Sequence, residues 1–172
     1  FDKEFKMPDI NYNILSSMMN KEYSCKDSDD KILQDILRKE WDIEKKKIKQ
    51  EDHKKYEKEI YYEMDIVKKC GMSKYFIIDY MIAKHAIEDY GAIITRSGRG
   101  SAVSFYINHL LRLTEVDRLK SPITLYPTRF MSAERILKSK SLPDIDQNYA
   151  NVEPVIQASK DIVGEDNIYY MV

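Results

Sequence analysis

The sequence predicts an α/β (α+β) fold in which a mixed sheet is flanked by helices. Three observations predict it: apolar residues at helical spacing through the first half, a short β-rich run closed by glycines near residue 95, and an aspartate pair alternating by two near residue 145. The 172 residues suffice for one domain with a real core, or for a piece of a larger one. Phe1 at the start and a strand-like run at 168–172 make a piece of a longer protein the expectation.

Residues 1–28 are polar and irregular and read as a lead-in or extended arm, with a Ser/Asp cluster at 24–30 that can end a loop and cap a helix. Ile32, Leu33, Ile36 and Leu37 share one helical face, which Trp41 and Ile48 continue. The lysine- and glutamate-rich stretch 44–58 reads most simply as a solvated helix face with opposite charges paired at helical spacing, and only secondarily as a nucleic-acid patch. A second amphipathic helix over 56–69 uses Ile60, Met64 and Val67 and stops at Gly71. The apolar stretch from Tyr75 to Ala86 predicts a buried helix, broken at Tyr90-Gly91, and 92–95 predicts a short buried strand. Gly98 and Gly100 make a tight turn, and 102–113 has helical periodicity through Val103, Tyr106, Ile107 and Leu110. After an irregular connection, 129–137 predicts a strand entering a hairpin with 138–141 at its tip. A helix over 153–163 stops at Gly164, and 167–172 predicts a last strand. The organisation expected is an arm and lead-in helix over 1–50 and a partial domain over 51–172.

Composition narrows the function classes. Lysine and arginine nearly balance the carboxylates, leaving a formal net charge of −1, so any nucleic-acid surface must be local. Cys25 and Cys70 lie far apart without CxxC spacing, which argues against a zinc ribbon and a disulfide framework. No apolar run approaches the roughly 18 residues of a membrane span, and the start lacks the apolar core of a signal peptide, so a soluble cytoplasmic protein is expected. His53, His85 and His109 lack metal spacing, and Trp41 and the tyrosines read as core and interface.

Two short motifs carry chemistry. A Gly-rich turn between strand and helix gathers backbone N–H groups and the positive end of a helix dipole, which suits a phosphate. Gly98-Arg99-Gly100-Ser101 has that layout, with Arg99 and Arg96 able to add charge and Ser101 a hydroxyl. It matches neither GxGxxG nor the Walker pattern, and alone it is equally a structural turn. If Ile145 points into the core of a strand, Asp144 and Asp146 project together from the opposite face. Two hard oxygen donors so placed suit Mg2+, with phosphates and water completing the shell. Alone, a Pro-Asp turn explains them as well. Together, a strand, a Gly-Ser turn opening a helix and a strand bearing DxD form the arrangement of the polymerase-beta-like nucleotidyltransferase palm.

The order of motifs also carries a family resemblance. Residues 61–80, YYEMDIVKKCGMSKYFIIDY, resemble the "YELDVIxKMGFxGYFLIVxD" stretch of the C-family bacterial replicative DNA polymerases, the DNA polymerase III alpha subunits. Gly98 to Ser101 resembles their "PGRGS", Thr114 to Asp117 their "ITDLDP", and Arg129-Phe130-Met131 with Glu134-Arg135 their "ERFLNPER". Pro143 to Asp146 resembles "MPDFDIDF", and Gly164 to Ile168 resembles "YGEDNV". Six segments in one order cover about Lys31 to the end.

The resemblance implies that Asp144 and Asp146 are two of three metal-binding carboxylates, catalytic through Mg2+. Gly100 and Ser101 would hold the triphosphate of a deoxynucleoside triphosphate, with Arg99 and Arg129 as basic partners and Arg135 a further candidate. The parent would be a DNA-directed DNA polymerase acting on primer-template DNA, meeting a sliding clamp and other replisome subunits through regions outside this chain. The family's third carboxylate lies beyond Val172, so the chain alone is expected to be inactive. Ser97 stands where the family has Pro, Ala102 to Phe105 replaces a second Gly-Ser, the link from Arg135 to Pro143 is longer, and Gln147-Asn148-Tyr149 follows the second aspartate. These departures suit a divergent accessory or phage polymerase. They also keep open a non-catalytic palm-like adaptor in a replication complex, and another nucleotidyltransferase matches Gly-Ser plus DxD but not the other four segments.

Overall fold

A computed structural model describes residues 6–95, 100–139 and 142–170. The N-terminal stretch is more ordered than its polarity suggests. The Asn11 side chain accepts the N–H groups of Asn13 and Ile14, which caps helix α1 (Tyr12–Met19), and Leu15 is fully buried. The expected irregular arm therefore contains a helix, started by an asparagine cap and anchored by one leucine.

The Ser28 hydroxyl accepts the Lys31 N–H, and Asp29 and Asp30 fill the first turn of α2 (Asp29–Glu44), where negative charge meets the helix dipole favourably. Ile32, Leu33, Ile36, Leu37 and Trp41 form its buried face, as their spacing predicts. The helix does not reach Ile48. Lys45–Lys47 and Gln50–Asp52 are separate 3-10 turns, so the expected charged helix face over 44–58 is broken by a corner. The His53 ring stabilises that corner, with Nε2 2.9 Å from the carbonyls of both Lys45 and Ile48.

Helices α3 (His53–Cys70) and α4 (Ser73–Tyr90) run longer than the apolar spacing alone indicates. Gly71 separates them at φ 65, a left-handed conformation that glycine adopts without the Cβ clash. The helix expected over 102–113 is divided into a 3-10 turn, Ser101–Ser104, and a short α5 (Tyr106–Leu110), with extended Phe105 between them. The strand expected at 129–137 is instead a 3-10 turn, Pro127–Arg129, followed by α6 (Ala133–Ser139). Ser132 Oγ accepts the Arg135 N–H at 3.2 Å, and Glu134 pairs with Lys138 one turn later at 2.7 Å, so local capping and charge pairing favour helix there. Residues 140–141 of the expected hairpin tip lie outside the described residues. Helix α7 (Glu153–Val163) has the expected bounds, and a 3-10 turn, Glu165–Asn167, follows it; of the last strand expected over 167–172, residues 168–170 are not in a strand and 171–172 lie outside the described residues.

Among the described residues the sheet is one antiparallel ladder. Strand β1 (Ile94–Thr95) pairs with β2 (Asn148–Tyr149), Ile94 opposite Tyr149 and Thr95 opposite Asn148. Ala150 N–H adds a bond to the Ile93 carbonyl at 3.0 Å. The fold is mixed but mostly helical, with this small sheet as its β component. One continuous apolar core runs from Ile10 to Val163, with α4 packed between α2 and α7 and α3 against α5 and α6.

Two buried carboxylates tie these elements together. Glu63 of α3 is fully buried and accepts the N–H groups of Tyr106 and Ile107 at 2.9 and 2.8 Å, satisfying the orphan donors at the start of α5. Arg118 donates to the same carboxylate at 2.7 Å and to Glu59 at 2.6 Å. Burial pushes the Glu63 carboxyl up to about 7, against the pull of Arg118 and the two N–H donors. Glu40 of α2 accepts from Tyr80 of α4 at 2.7 Å and from Arg112 at 3.1 Å. Replacing Glu63 with alanine leaves Arg118 buried beside Glu59 alone and two N–H groups without an acceptor. Urea unfolding should show a loss of about 3–5 kcal/mol, and a loss below about 1 kcal/mol would show that this junction contributes little.

Candidate functional site

Residues 142–150 lead into and out of β2, and their exposure alternates from 143 onward. Pro143 is buried and Ile145, Gln147 and Tyr149 are half-buried, whereas Asp144, Asp146, Asn148 and Ala150 are exposed. Ile145 packs on the main core, so both carboxylates stand together on the solvent side, as the period of two requires. Among the described residues the paired positions of β2 are Asn148 and Tyr149, which follow the aspartate pair.

Tyr75 of α4 holds this segment in place. Its hydroxyl donates to the Pro143 carbonyl at 2.7 Å, across 68 residues of sequence. Burial, followed by the negative charges of Asp79, Asp144 and Asp146, pushes the phenol far above its ordinary range, so the group remains a donor. The hydrogen bond to Pro143 thus anchors the backbone directly before the aspartate pair.

The neighbouring Phe76 organises the other half of the site. Its ring lies 5.9 Å from that of Phe105 and 6.2 Å from that of Phe130, and the last two are 5.2 Å apart. Phe105 directly follows the 3-10 turn that Ser101 opens, and Phe130 directly follows Arg129. The two 3-10 turns pack against each other, which brings the Ser101 segment and the Arg129 segment together. Gly100 and Ser101 are exposed, and Gly100 adopts φ 73 and ψ −165. A Cβ would meet no neighbour among the described residues there, so the positive φ itself favours glycine. Arg129 is exposed, and its carbonyl accepts from the Arg135 guanidinium at 2.9 Å. Arg99, with Arg96, Ser97 and Gly98, lies outside the described residues.

The ladder relates the two halves. Because β1 and β2 are antiparallel, the end of β1 that leads toward Gly100 and the end of β2 that follows Asp146 are the same end. One expectation is overturned at this point. The N–H groups at the start of α5 do not face the turn, because Glu63 accepts two of them, so the α-helix dipole is not part of a phosphate cradle here. Any phosphate would meet Gly100, Ser101 and the basic side chains. Among the described residues no group of three or more His, Cys, Asp or Glu side chains is placed to hold a metal ion.

Against this geometry, residues 32–172 match the family model described as the bacterial DNA polymerase III alpha NTPase domain. The chain belongs to the bacterial DNA polymerase III alpha family. It is 35% identical over 105 residues to the DNA polymerase III subunit alpha of Bacillus subtilis, covering 60% of this chain and 9% of that one. With the Campylobacter jejuni subunit it shares 32% over 138 residues, 80% of this chain and 11% of the relative. With that of Aquifex aeolicus it shares 31% over 119 residues, 68% and 10%. The chain thus spans about a tenth of the length of these relatives. No solved structure matches it at a significant level. None of the described helices is long and apolar enough to cross a membrane.

Sequence reasoning missed Tyr75 and Asp79 as members of this neighbourhood. Both lie inside the quoted segment 61–80, and their spacing of four on a helix places them on one face. Asp79 is half-buried in a pocket that includes Met7, Ile78, Ile82, Val163 and Ile168. Burial pushes its carboxyl up to about 7 from an ordinary 3.8. The folded chain therefore holds this proton more tightly than the unfolded chain. The resulting stability is present in full below about pH 4 and is lost as pH rises through 7. Asp79→Asn should be more stable than the native sequence at pH 8, with the gap closing toward pH 4; contact with water limits it to about 1–2 kcal/mol. Denaturation curves at a series of pH values check this, and a gap that is constant with pH would contradict it.

Proposed function

We infer that the chain is part of the catalytic palm of a DNA polymerase III alpha subunit, a polymerase-beta-like nucleotidyltransferase palm that transfers deoxynucleotides to a primer 3′ end in DNA replication. The observation that carries this reading is the shared exposed side of Asp144 and Asp146, held by Tyr75 at the end of the ladder toward which the Gly-Ser turn also leads. Membership of the family supplies its context.

The donor set fits Mg2+. The ion commonly takes one or two carboxylates and fills its octahedron with water and substrate phosphates, and two exposed aspartates two residues apart suit that role. When bound, the ion would lower the pKa of the attacking 3′ hydroxyl and offset charge on the departing pyrophosphate. Asp144 and Asp146 would hold the ion. Gly100 permits close backbone approach to the triphosphate, Ser101 donates a hydroxyl, and Arg99 and Arg129 balance the phosphate charge. The family's further carboxylate, downstream of Val172, completes the set, so the chain alone does not polymerise. Primer-template DNA and deoxynucleoside triphosphates are the substrates; a sliding clamp and other replisome subunits meet the parent elsewhere, in the cytoplasm.

Asp144→Asn in the full-length parent should lower primer extension on the order of a thousandfold or more, with an unchanged melting temperature. Asp144 is exposed, so the fold does not depend on it. Wild-type extension by that variant would remove Asp144 from the mechanism. A native parent that extends no primer would favour a non-catalytic adaptor.

A further inference from the structure

Between Lys45 and Lys58 the sequence carries seven lysines against three carboxylates, within a chain of net charge −1. On one continuous helix, such residues would find opposite charges three and four positions away. The chain instead turns a corner here through two 3-10 turns, and much of that pairing is lost. Lys45 and Lys47 keep carboxylate partners, Asp42 at 2.6 Å and Glu44 at 3.4 Å. Among the described residues, no carboxylate lies within 4.0 Å of the ammonium groups of Lys46, Lys49, Lys54, Lys55 or Lys58.

The corner also gathers a lysine from a distant part of the chain. Lys47, Lys49 and Lys55 line a pocket of about 270 Å³ together with Lys120. Lys120 follows a loop fixed by Asp117, which accepts the Tyr56 hydroxyl at 2.7 Å and the Leu119 N–H at 2.9 Å. Tyr56 forms part of the pocket wall, and its ring stacks on Trp41 at 5.8 Å, so the wall is rigid. Asp52 is the one carboxylate in the lining. Lysines from three segments thus converge on a fixed concavity with little internal neutralisation, an arrangement whose mutual repulsion an anion relieves.

We propose that this pocket, at the corner between α2 and α3, is a phosphate-binding site that holds the sugar-phosphate backbone of duplex DNA. The assignment of DNA, rather than another polyanion, rests on the polymerase reading above. Lysines without planar, bidentate partners suit phosphate contacts that position a duplex without reading its sequence. The aspartate pair and the Gly-Ser turn take no part in it.

The test is fluorescence anisotropy of the 172-residue chain with a short labelled duplex over a range of salt concentrations. Lys49→Glu/Lys55→Glu/Lys120→Glu should weaken binding at least tenfold at low salt and reduce the magnitude of the slope of log affinity against log salt by about 3. A charge-matched control, Lys26→Glu/Lys31→Glu/Lys69→Glu, changes exposed lysines elsewhere and should leave the slope near that of the native chain. Melting temperatures of both variants verify folding. Equal effects of the two triple variants, or no duplex binding by the native chain, would overturn the proposal. Displacement of the duplex by polyglutamate as readily as by unlabelled DNA would also overturn it, pointing to an acidic protein. Failure of the catalytic reading is read separately, because Asp144→Asn abolishes or spares extension without touching these lysines.

Discussion

The candidate site depends on two adjacent aromatic residues of one helix. Tyr75 bonds the Pro143 carbonyl at 2.7 Å, and Phe76 stacks with Phe105 and meets Phe130 edge-on. The segments so held carry the aspartate pair, the Gly-Ser turn and Arg129. Among the described residues none of these is fixed by extensive regular structure of its own: β2 is Asn148–Tyr149, and Ser101–Ser104 and Pro127–Arg129 are short 3-10 turns. Helix α4 can serve as their support because it is itself clamped, by α2 on one side and α7 on the other. Its Tyr80 reaches Glu40, and its His85 lies between Asp89 at 2.6 Å and Asp161 at 2.9 Å. A precise arrangement of exposed polar groups is thus inherited from a buried hydrophobic frame.

The same frame decides how charge is used. A short helix after a glycine turn looks like a phosphate cradle, yet here two of the N–H groups that would form it satisfy Glu63. A buried carboxylate is costly, and the two N–H donors and Arg118 offset that cost. On the proposed reading, a phosphate would be left to Gly100, Ser101 and Arg129 among the described residues. Asp79, Asp144 and Asp146 all raise the Tyr75 phenol, whereas lysines, most of them without a carboxylate partner among the described residues, collect at the α2–α3 corner. A net charge near zero conceals this local segregation.

The long helices were legible because apolar spacing and glycine stops agree with tertiary packing. Gly71 and Gly91 end α3 and α4, and Gly164 ends α7, each at a positive φ. The short elements were not. At α6, the Ser132 cap and the Glu134–Lys138 pair favour a helix where a strand was expected. At α1, a single buried leucine and an asparagine cap sufficed within a polar stretch. The alternation of Asp144 and Asp146 was readable because exposure follows the period of two through 143–150. Tyr75 was not readable as an anchor, since its partner is a backbone carbonyl 68 residues away and leaves no residue-type signature. The lysine pocket required knowing that Lys120 returns to the corner.

The central claim is that the Gly-Ser turn, Arg129 and the aspartate pair form one site. It is tested most directly by recording amide NMR spectra of the chain with a deoxynucleoside triphosphate while titrating Mn2+ as a paramagnetic stand-in for Mg2+. The resonances of Gly100, Ser101, Arg129 and Asp144 to Asp146 should broaden together at the lowest Mn2+ concentrations, and this joint response should disappear in Asp144→Asn/Asp146→Asn. Broadening at the aspartates that leaves Gly100 and Ser101 sharp at every concentration would show that the carboxylates and the turn do not share a ligand, and would contradict the claim.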